Sequence, residues 1–421
     1  MNTDPKIVLP EQDWLALPGT RRVMGLLNAA RPDCARFVGG CVRNALMGSS
    51  VSDIDIATQL TPDRVSDILL ADGVAVHRTG IEHGTLTAVA DGTVFEITTL
   101  RRDVSTDGRR ATVVFSEDWL EDAQRRDFRF NALYADIEGR VHDPLDGGLD
   151  DIATRSVVFI GDAEQRLRED YLRILRFFRF YATYGQGEPD PAGVLACGKL
   201  REGLYQISAE RVWTELKKLL SAPDPRASIN AMLRAGVLEI ILPDMAGLGL
   251  LDVVVAQDLE HGLTPDPMIR LMSLYSKDPD LMERLAADLR MSNAERRRLV
   301  SAADDQTDLS HVLQEAEFRR ILFRLGEQTF HDRARLVWAA RPDIASPAYW
   351  KALMDEMSEW TRPLLPISGE DVIAIGVTPG PQVGEVLREV ETWWVDSDFP
   401  EDVAVIARQM KDIALNKPRG G

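Results

Sequence analysis

The spacing of apolar positions changes along the chain. Asp53-Ile54-Asp55-Ile56-Ala57 alternates polar and apolar with period two, the pattern of a half-buried strand. Residues 85–90 and 93–100 form two further β-rich runs joined by Asp91-Gly92, which predicts a hairpin. Elsewhere helical spacing dominates. Residues 20–30 predict an amphipathic helix. A short helix reaching Leu46-Met47 is ended by Gly48-Ser49-Ser50. Thr61-Pro62-Asp63 predicts a helix start, with Thr61 as N-cap and Pro62 in the first position. Residues 101–122 are charged and lack a period, which predicts a mobile loop. Residues 125–133 read as helical, with Asn131 on the side of Asp127, and 141–148 as a closing turn. From Ala163 onward the pattern is almost wholly helical, broken at prolines in 222–225, 243–244, 265–267, 363–366 and 379–381. Ser208 is expected to cap one of these helices, with Glu210 in its first turn. The expected fold class is α+β. A head with a mixed sheet spans 1–150, a helical segment spans 151–245, and a helical body and tail span 246–421.

Candidate chemistry concentrates before the second strand. Residues i and i+2 of a strand point the same way, so Asp53 and Asp55 share a face. Two carboxylates that close repel unless a cation relieves them. Mg²⁺ suits such a pair, because it takes one or two carboxylates and completes its shell with water and phosphate. Upstream, Gly39-Gly40-Cys41-Val42-Arg43 offers a backbone open to a phosphate, and an arginine to hold one. Glu96, in the second hairpin strand, is a candidate third carboxylate; a sheet-surface glutamate is the alternative. His83, in the Gly-bounded turn 79–85, is read as structural.

A second concentration is Asp170, Arg173, Arg176 and Arg179, three residues apart among Leu172, Ile174, Leu175, Phe177, Phe178 and Phe180. On one helix this stripe winds about 180° around the axis. Pairing of Glu169 or Asp170 with Arg173 satisfies one arginine. Arg176 and Arg179 have no obvious acid nearby, and an anionic ligand is the favoured partner. Arg296-Arg297-Arg298 is read as a solvated helix face, Trp393-Trp394 as core, and the lone His331-Asp332 pair as no metal site.

Composition narrows the class. The chain has 421 residues, 45% hydrophobic and 28% charged, enough for two to four globular domains. The longest apolar runs, such as 253–256, are far too short to span a membrane. Cys34, Cys41 and Cys197 are scattered and odd in number, and imply no disulfide framework. A cytoplasmic location is expected. The net charge of −18 argues against general polyanion binding, so nucleic acid should meet local arginine-rich patches at 101–110, 125–129 and 166–179.

Taken together, Gly-Gly-x-x-Arg followed by Asp-x-Asp, then Arg125-Arg126-Asp127-Phe128 with Asn131-Ala132, then Glu169-Asp170-x-x-Arg173, then Ser208-x-Glu210-Arg211 resemble the class II CCA-adding tRNA nucleotidyltransferase and poly(A) polymerase family, of the polymerase beta superfamily. The likeness covers about residues 37–220. It implies head, neck, body and tail domains, metal ligands Asp53 and Asp55, and nucleotide contacts by Gly40, Arg43, Arg126, Asp170, Arg173, Arg176 and Arg179. It implies Mg²⁺-dependent transfer from CTP and ATP to the 3′ end of tRNA. The turn at 79–85 and the loop at 101–122 resemble CCA-adding enzymes, and the Arg-rich signature of bacterial poly(A) polymerases is absent after the active-site strand. Poly(A) addition, CC-only or A-only addition, a small-molecule or protein nucleotidyltransferase, and a non-catalytic RNA-binding protein are the alternatives.

Overall fold

The structure is a computed structural model. It describes residues 5–78, 80–81, 84–107, 110–304 and 307–415; of 103–107 and 110–113 it describes the backbone alone. His83 lies outside these residues. The chain divides into two compact units, 1–244 and 245–421.

The first unit is built on an eight-stranded mixed sheet. Its strands are β1 (Ile7–Val8), β2 (Ala35–Val38), β3 (Ile54–Thr58), β4 (Ala75–His77), β5 (Thr85–Ala90), β6 (Thr93–Thr99), β9 (Tyr134–Ala135) and β10 (Arg140–His142), in the order β1-β10-β9-β2-β3-β6-β5-β4. The period-two runs become β3, β5 and β6. Asp91 (φ 48°) and Gly92 (φ 79°) make the tight turn between β5 and β6, as a two-residue hairpin loop requires. The central pairing, β3 with β6, is parallel. One sheet face carries Phe37, Ile54, Ile56, Phe95 and Ile97, packed against Val23, Met24 and Leu27 of α2 (Pro18–Ala30) and Val65 and Leu69 of α4 (Pro62–Ala71). The opposite face carries Val38, Ala57 and Tyr134, under Trp119 and Ala123 of α5 (Trp119–Gln124). Asp55, two residues before Ala57, opens onto that second face.

Two local expectations are corrected. Residues 101–122 are not an unstructured loop: β7 (Arg101–Asp107) and β8 (Arg110–Phe115) pair antiparallel as a separate ribbon, and α5 follows. Residues 125–133 do not form an α-helix. After α5 the chain makes only a 3₁₀ turn at Arg129–Asn131, yet Asn131 does face Asp127, donating from Nδ2 to Oδ1 at 3.1 Å.

After α6 (Gly148–Thr154) come α7 (Ala163–Glu169), α8 (Leu172–Tyr184), α9 (Pro191–Lys199), α10 (Ala209–Leu220), α11 (Arg226–Arg234) and α12 (Leu238–Ile241). Ser208 and Thr61 occupy the expected N-cap positions without side-chain capping bonds. An aromatic cluster fastens α8 to the segment after α5. Phe128 lies 4.8 Å from Phe159 and 5.4 Å from Phe180, and Phe177 stacks on Phe159 at 5.4 Å between centroids.

The second unit is helical, with ten α-helices among the described residues, from Gly249–His261 to Val403–Leu415. One core gathers Phe318, Phe330, Trp338 and Trp350; another gathers Val386, Val390, Trp394 and Ile406, with Trp393 packed against it. Asp332 accepts from Arg298 at 2.7 Å, so His331-Asp332 serves an ion pair. No helix among the described residues is long and apolar enough to cross a membrane.

Candidate active site

The site begins at a turn that only glycine suits. Gly39, at φ +71°, caps α3 (Gly40–Met47) in a conformation that L side chains rarely adopt. A Cβ placed on Gly39 would stand 3.5 Å from Arg126 Nη1 and 4.0 Å from Asp55 Oδ2; one on Gly40 would stand 3.9 Å from both Asp55 Oδ2 and Arg43 Nη2. Two side-chain-free residues therefore lie close to a carboxylate and two guanidinium groups.

The parallel register of β3 and β6 sets Asp55 beside Glu96. Glu96 and Asp55 thus share one sheet face; Asp53, just before β3, is exposed, and Asp55 is half-buried. Burial, and then the neighbouring charge of Glu96, push the Asp55 carboxyl up to about 6; Arg126 and Arg43 pull it down and Asp53 adds to the rise. A cation there would relieve this repulsion, and the hard oxygen donors fit a divalent ion. Among the described residues no group of three or more His, Cys, Asp and Glu side chains could hold a metal by itself. Water and substrate oxygens would have to complete the shell.

The arginines are fixed by acids. Arg126 donates from Nε and Nη2 to Asp122 Oδ2 at 3.2 and 3.0 Å, and Tyr134 donates its hydroxyl to the same oxygen at 2.7 Å. Burial alone would raise the Asp122 carboxyl, but Arg126 and Arg125 hold it at about 2. Arg176 donates to Asp127 Oδ2 at 2.8 Å from Nε. Arg179 donates to Glu215 Oε2 at 2.5 Å. The expectation that Arg176 and Arg179 lack acids is therefore wrong: their partners come from residues 49 and 36 positions away. Glu215 is a partner that the sequence does signal. It lies on the apolar stripe of α10 with Val212 and Leu219, and a charge there demands a buried partner.

Asp170 and Arg173 are also arranged differently from expectation. The helix breaks between α7 and α8, so Asp170 is the C-cap of one helix and not a turn below Arg173 on the same one. Asp170 Oδ2 accepts from Arg211 Nη2 at 2.7 Å. Arg173 bonds Glu169, and donates to the Arg166 carbonyl at 2.8 Å. The Glu169–Arg173 pairing is the self-pairing considered from the sequence. Arg211, by sequence only part of a helix start, is thus the partner of Asp170.

Residues 35–158 match the family described as Poly A polymerase head domain, and residues 188–248 match that described as Probable RNA and SrmB-binding site of polymerase A. The chain is 34% identical over 376 residues to CCA tRNA nucleotidyltransferase 1, mitochondrial, of Homo sapiens, covering 86% of this chain and 83% of the relative. It is 30% identical over 413 residues to the CCA-adding enzyme of Levilactobacillus brevis, covering 96% and 99%. The crystal structure of Bacillus stearothermophilus CCA-adding enzyme in complex with CTP superposes with a TM-score of 0.71 at 25% identity, over 94% of this chain and 98% of that one. The carboxylate face, the glycine turn and these near full-length likenesses agree: the chain belongs to the family of CCA-adding tRNA nucleotidyltransferases.

Proposed function

We infer that this chain adds C, C and A in turn to the 3′ end of tRNA, using CTP and ATP and releasing pyrophosphate. The observation that carries the reading is Asp55 set beside Glu96 and opposite Gly39-Gly40, between Arg43 and Arg126. Asp53 and Asp55 would hold Mg²⁺, with Glu96 as the third carboxylate. When bound, the metal would make the RNA 3′-hydroxyl more acidic and neutralise charge on the departing phosphates. The protein's own share is positioning and charge. The Gly40 turn leaves room for a phosphate, and Arg43 and Arg126 offer donors to it. Arg176 and Arg179, oriented by Asp127 and Glu215, face the nucleotide from α8.

Base choice falls to Asp170 and Arg173. Cytosine and adenine both present an amino donor beside a ring-nitrogen acceptor, so one acceptor and one donor on the protein serve both. Uracil and guanine would leave that pair unmatched, a mismatch worth about a thousandfold or more in a shielded site. Arg211 holds the Asp170 carboxylate, and Glu169 holds Arg173. The reading keeps a catalytic head to about residue 150, a helical neck to about 245, and a body and tail that bind tRNA. The proposed location is the cytoplasm, supported by three buried free thiols, Cys34, Cys41 and Cys197, which suit a reducing compartment.

The test incubates the protein with tRNA trimmed of its 3′ end and each labelled triphosphate. Two CMP additions followed by one AMP, then arrest, are expected. A long A tract would assign poly(A) polymerase activity instead, and arrest after CC a partial activity.

A further inference from the structure

Of the five arginines proposed for the nucleotide, four are paired with a carboxylate within the protein: Arg126 with Asp122, which also serves Arg125, Arg173 with Glu169, which also serves Arg166, Arg176 with Asp127, and Arg179 with Glu215. Arg43 is different. It is 6% exposed, and its hydrogen-bond partners among the described residues are all uncharged. Nη1 donates to Asn131 Oδ1 at 2.5 Å. Nη2 donates to the Tyr184 hydroxyl at 2.8 Å and to Asn44 Oδ1 at 2.9 Å, and Nε to Asn44 Oδ1 at 3.2 Å. Its Cζ lies 4.2 Å from the ring centroid of Tyr184, 5.2 Å from that of Phe180 and 5.5 Å from that of Phe130. The Tyr184 hydroxyl in turn donates to Asn44 Oδ1 at 3.1 Å, closing the ring of contacts.

A guanidinium can be fixed in two ways. A carboxylate fixes it and cancels its charge; amide oxygens, a hydroxyl and aromatic faces fix it and leave the charge in place. Arg43 is held in the second way, and its Nη2 lies 3.9 Å from where a Cβ on Gly40 would stand. We infer that Tyr184, at the end of α8, is a positioning residue of the nucleotide site. It holds Arg43 by its hydroxyl and its ring, and keeps a full positive charge available for the triphosphate. This rests on the reading that Arg43 contacts the nucleotide.

The experiment is a double-mutant cycle with steady-state kinetics for CTP and ATP on trimmed tRNA. Tyr184→Phe removes the hydroxyl and keeps the ring. It should raise KM for both nucleotides about three- to tenfold, the loss expected for one hydrogen bond of ordinary strength, with kcat within about twofold of the parent. In an Arg43→Met background the same change should add nothing. Asn44→Asp, equal in size, sets a carboxylate against Arg43. It should also raise KM while thermal stability is kept or increased, a split that a purely structural role would not give. If Arg43→Met leaves KM unaltered, the contact reading itself fails, and this inference falls with it. If Arg43→Met raises KM but Tyr184→Phe and Asn44→Asp do not, or if the effects at 43 and 184 simply add, the contact stands and Tyr184 is not its positioning residue.

Discussion

Asp55→Asn should inactivate the enzyme and, without metal, stabilise it. The Asp55 carboxyl, ordinarily near 3.8, is pushed up to about 6 by burial and by Glu96. At about 1.4 kcal/mol per pH unit, keeping it ionised costs the metal-free fold up to about 3 kcal/mol at pH 7.5. The sign follows from proton binding. The folded state holds this proton more tightly than the unfolded state, so the parent gains stability as pH falls through 6 towards 3.8. The asparagine variant has no proton to gain there. Its advantage should be full above about pH 7 and roughly halved by pH 5. For a unit of this size, about 2–4 °C accompanies each kcal/mol, so the melting temperature in a chelator at pH 7.5 should rise by up to about 10 °C. Adding Mg²⁺ should raise the melting temperature of the parent and leave that of the variant nearly unchanged. A variant no more stable than the parent at pH 7.5, or an advantage that does not shrink at pH 5, would refute the reasoning.

Three further outcomes are expected. Asp258 accepts from Arg270 at 2.9 Å and from Arg335 at 2.5 Å, with all three side chains nearly inaccessible; Asp258→Asn should cost the second unit about 3–5 kcal/mol, and a denaturant-melt loss under about 1 kcal/mol would contradict this. Glu215→Gln keeps an amide oxygen for Arg179, lifts the carboxylate charge from it, and should lower nucleotide KM in a protein that remains folded by circular dichroism; an unaltered KM would show that Arg179 does not serve the nucleotide. Shortening the β7–β8 ribbon should spare CC addition and impair A addition, as read on a sequencing gel; equal losses at both steps would sink the idea.

What could be read from the sequence was local. Gly39-Gly40, Asp53-x-Asp55 and Asp91-Gly92 carry their conformations in neighbouring residues, and the chain adopts them. The alignment of Glu96 with Asp55 depends on a parallel pairing between distant strands, which no short pattern encodes. The ribbon at 101–115 was hidden because two strands that pair only with each other need no continuous apolar face, and period two then vanishes. The break before α8 carries neither glycine nor proline, so Asp170 and Arg173 looked like members of one helix. The acids that hold Arg176 and Arg179 are close only in space.

The aromatic cluster bears on how such enzymes can be recombined. Phe128 and Phe130 precede residue 150, while Phe177 and Phe180 follow it, and their rings interlock as one core. A chimera joined near residue 150 would mate half of this cluster with a stranger's half, and a fragment ending there would present bare phenylalanine rings to water. A junction between Asp244 and Met245 leaves the cluster whole. The exchangeable cassette is therefore the first unit as a whole, and nucleotide choice should travel with Asp53 and Asp55 when that unit is moved.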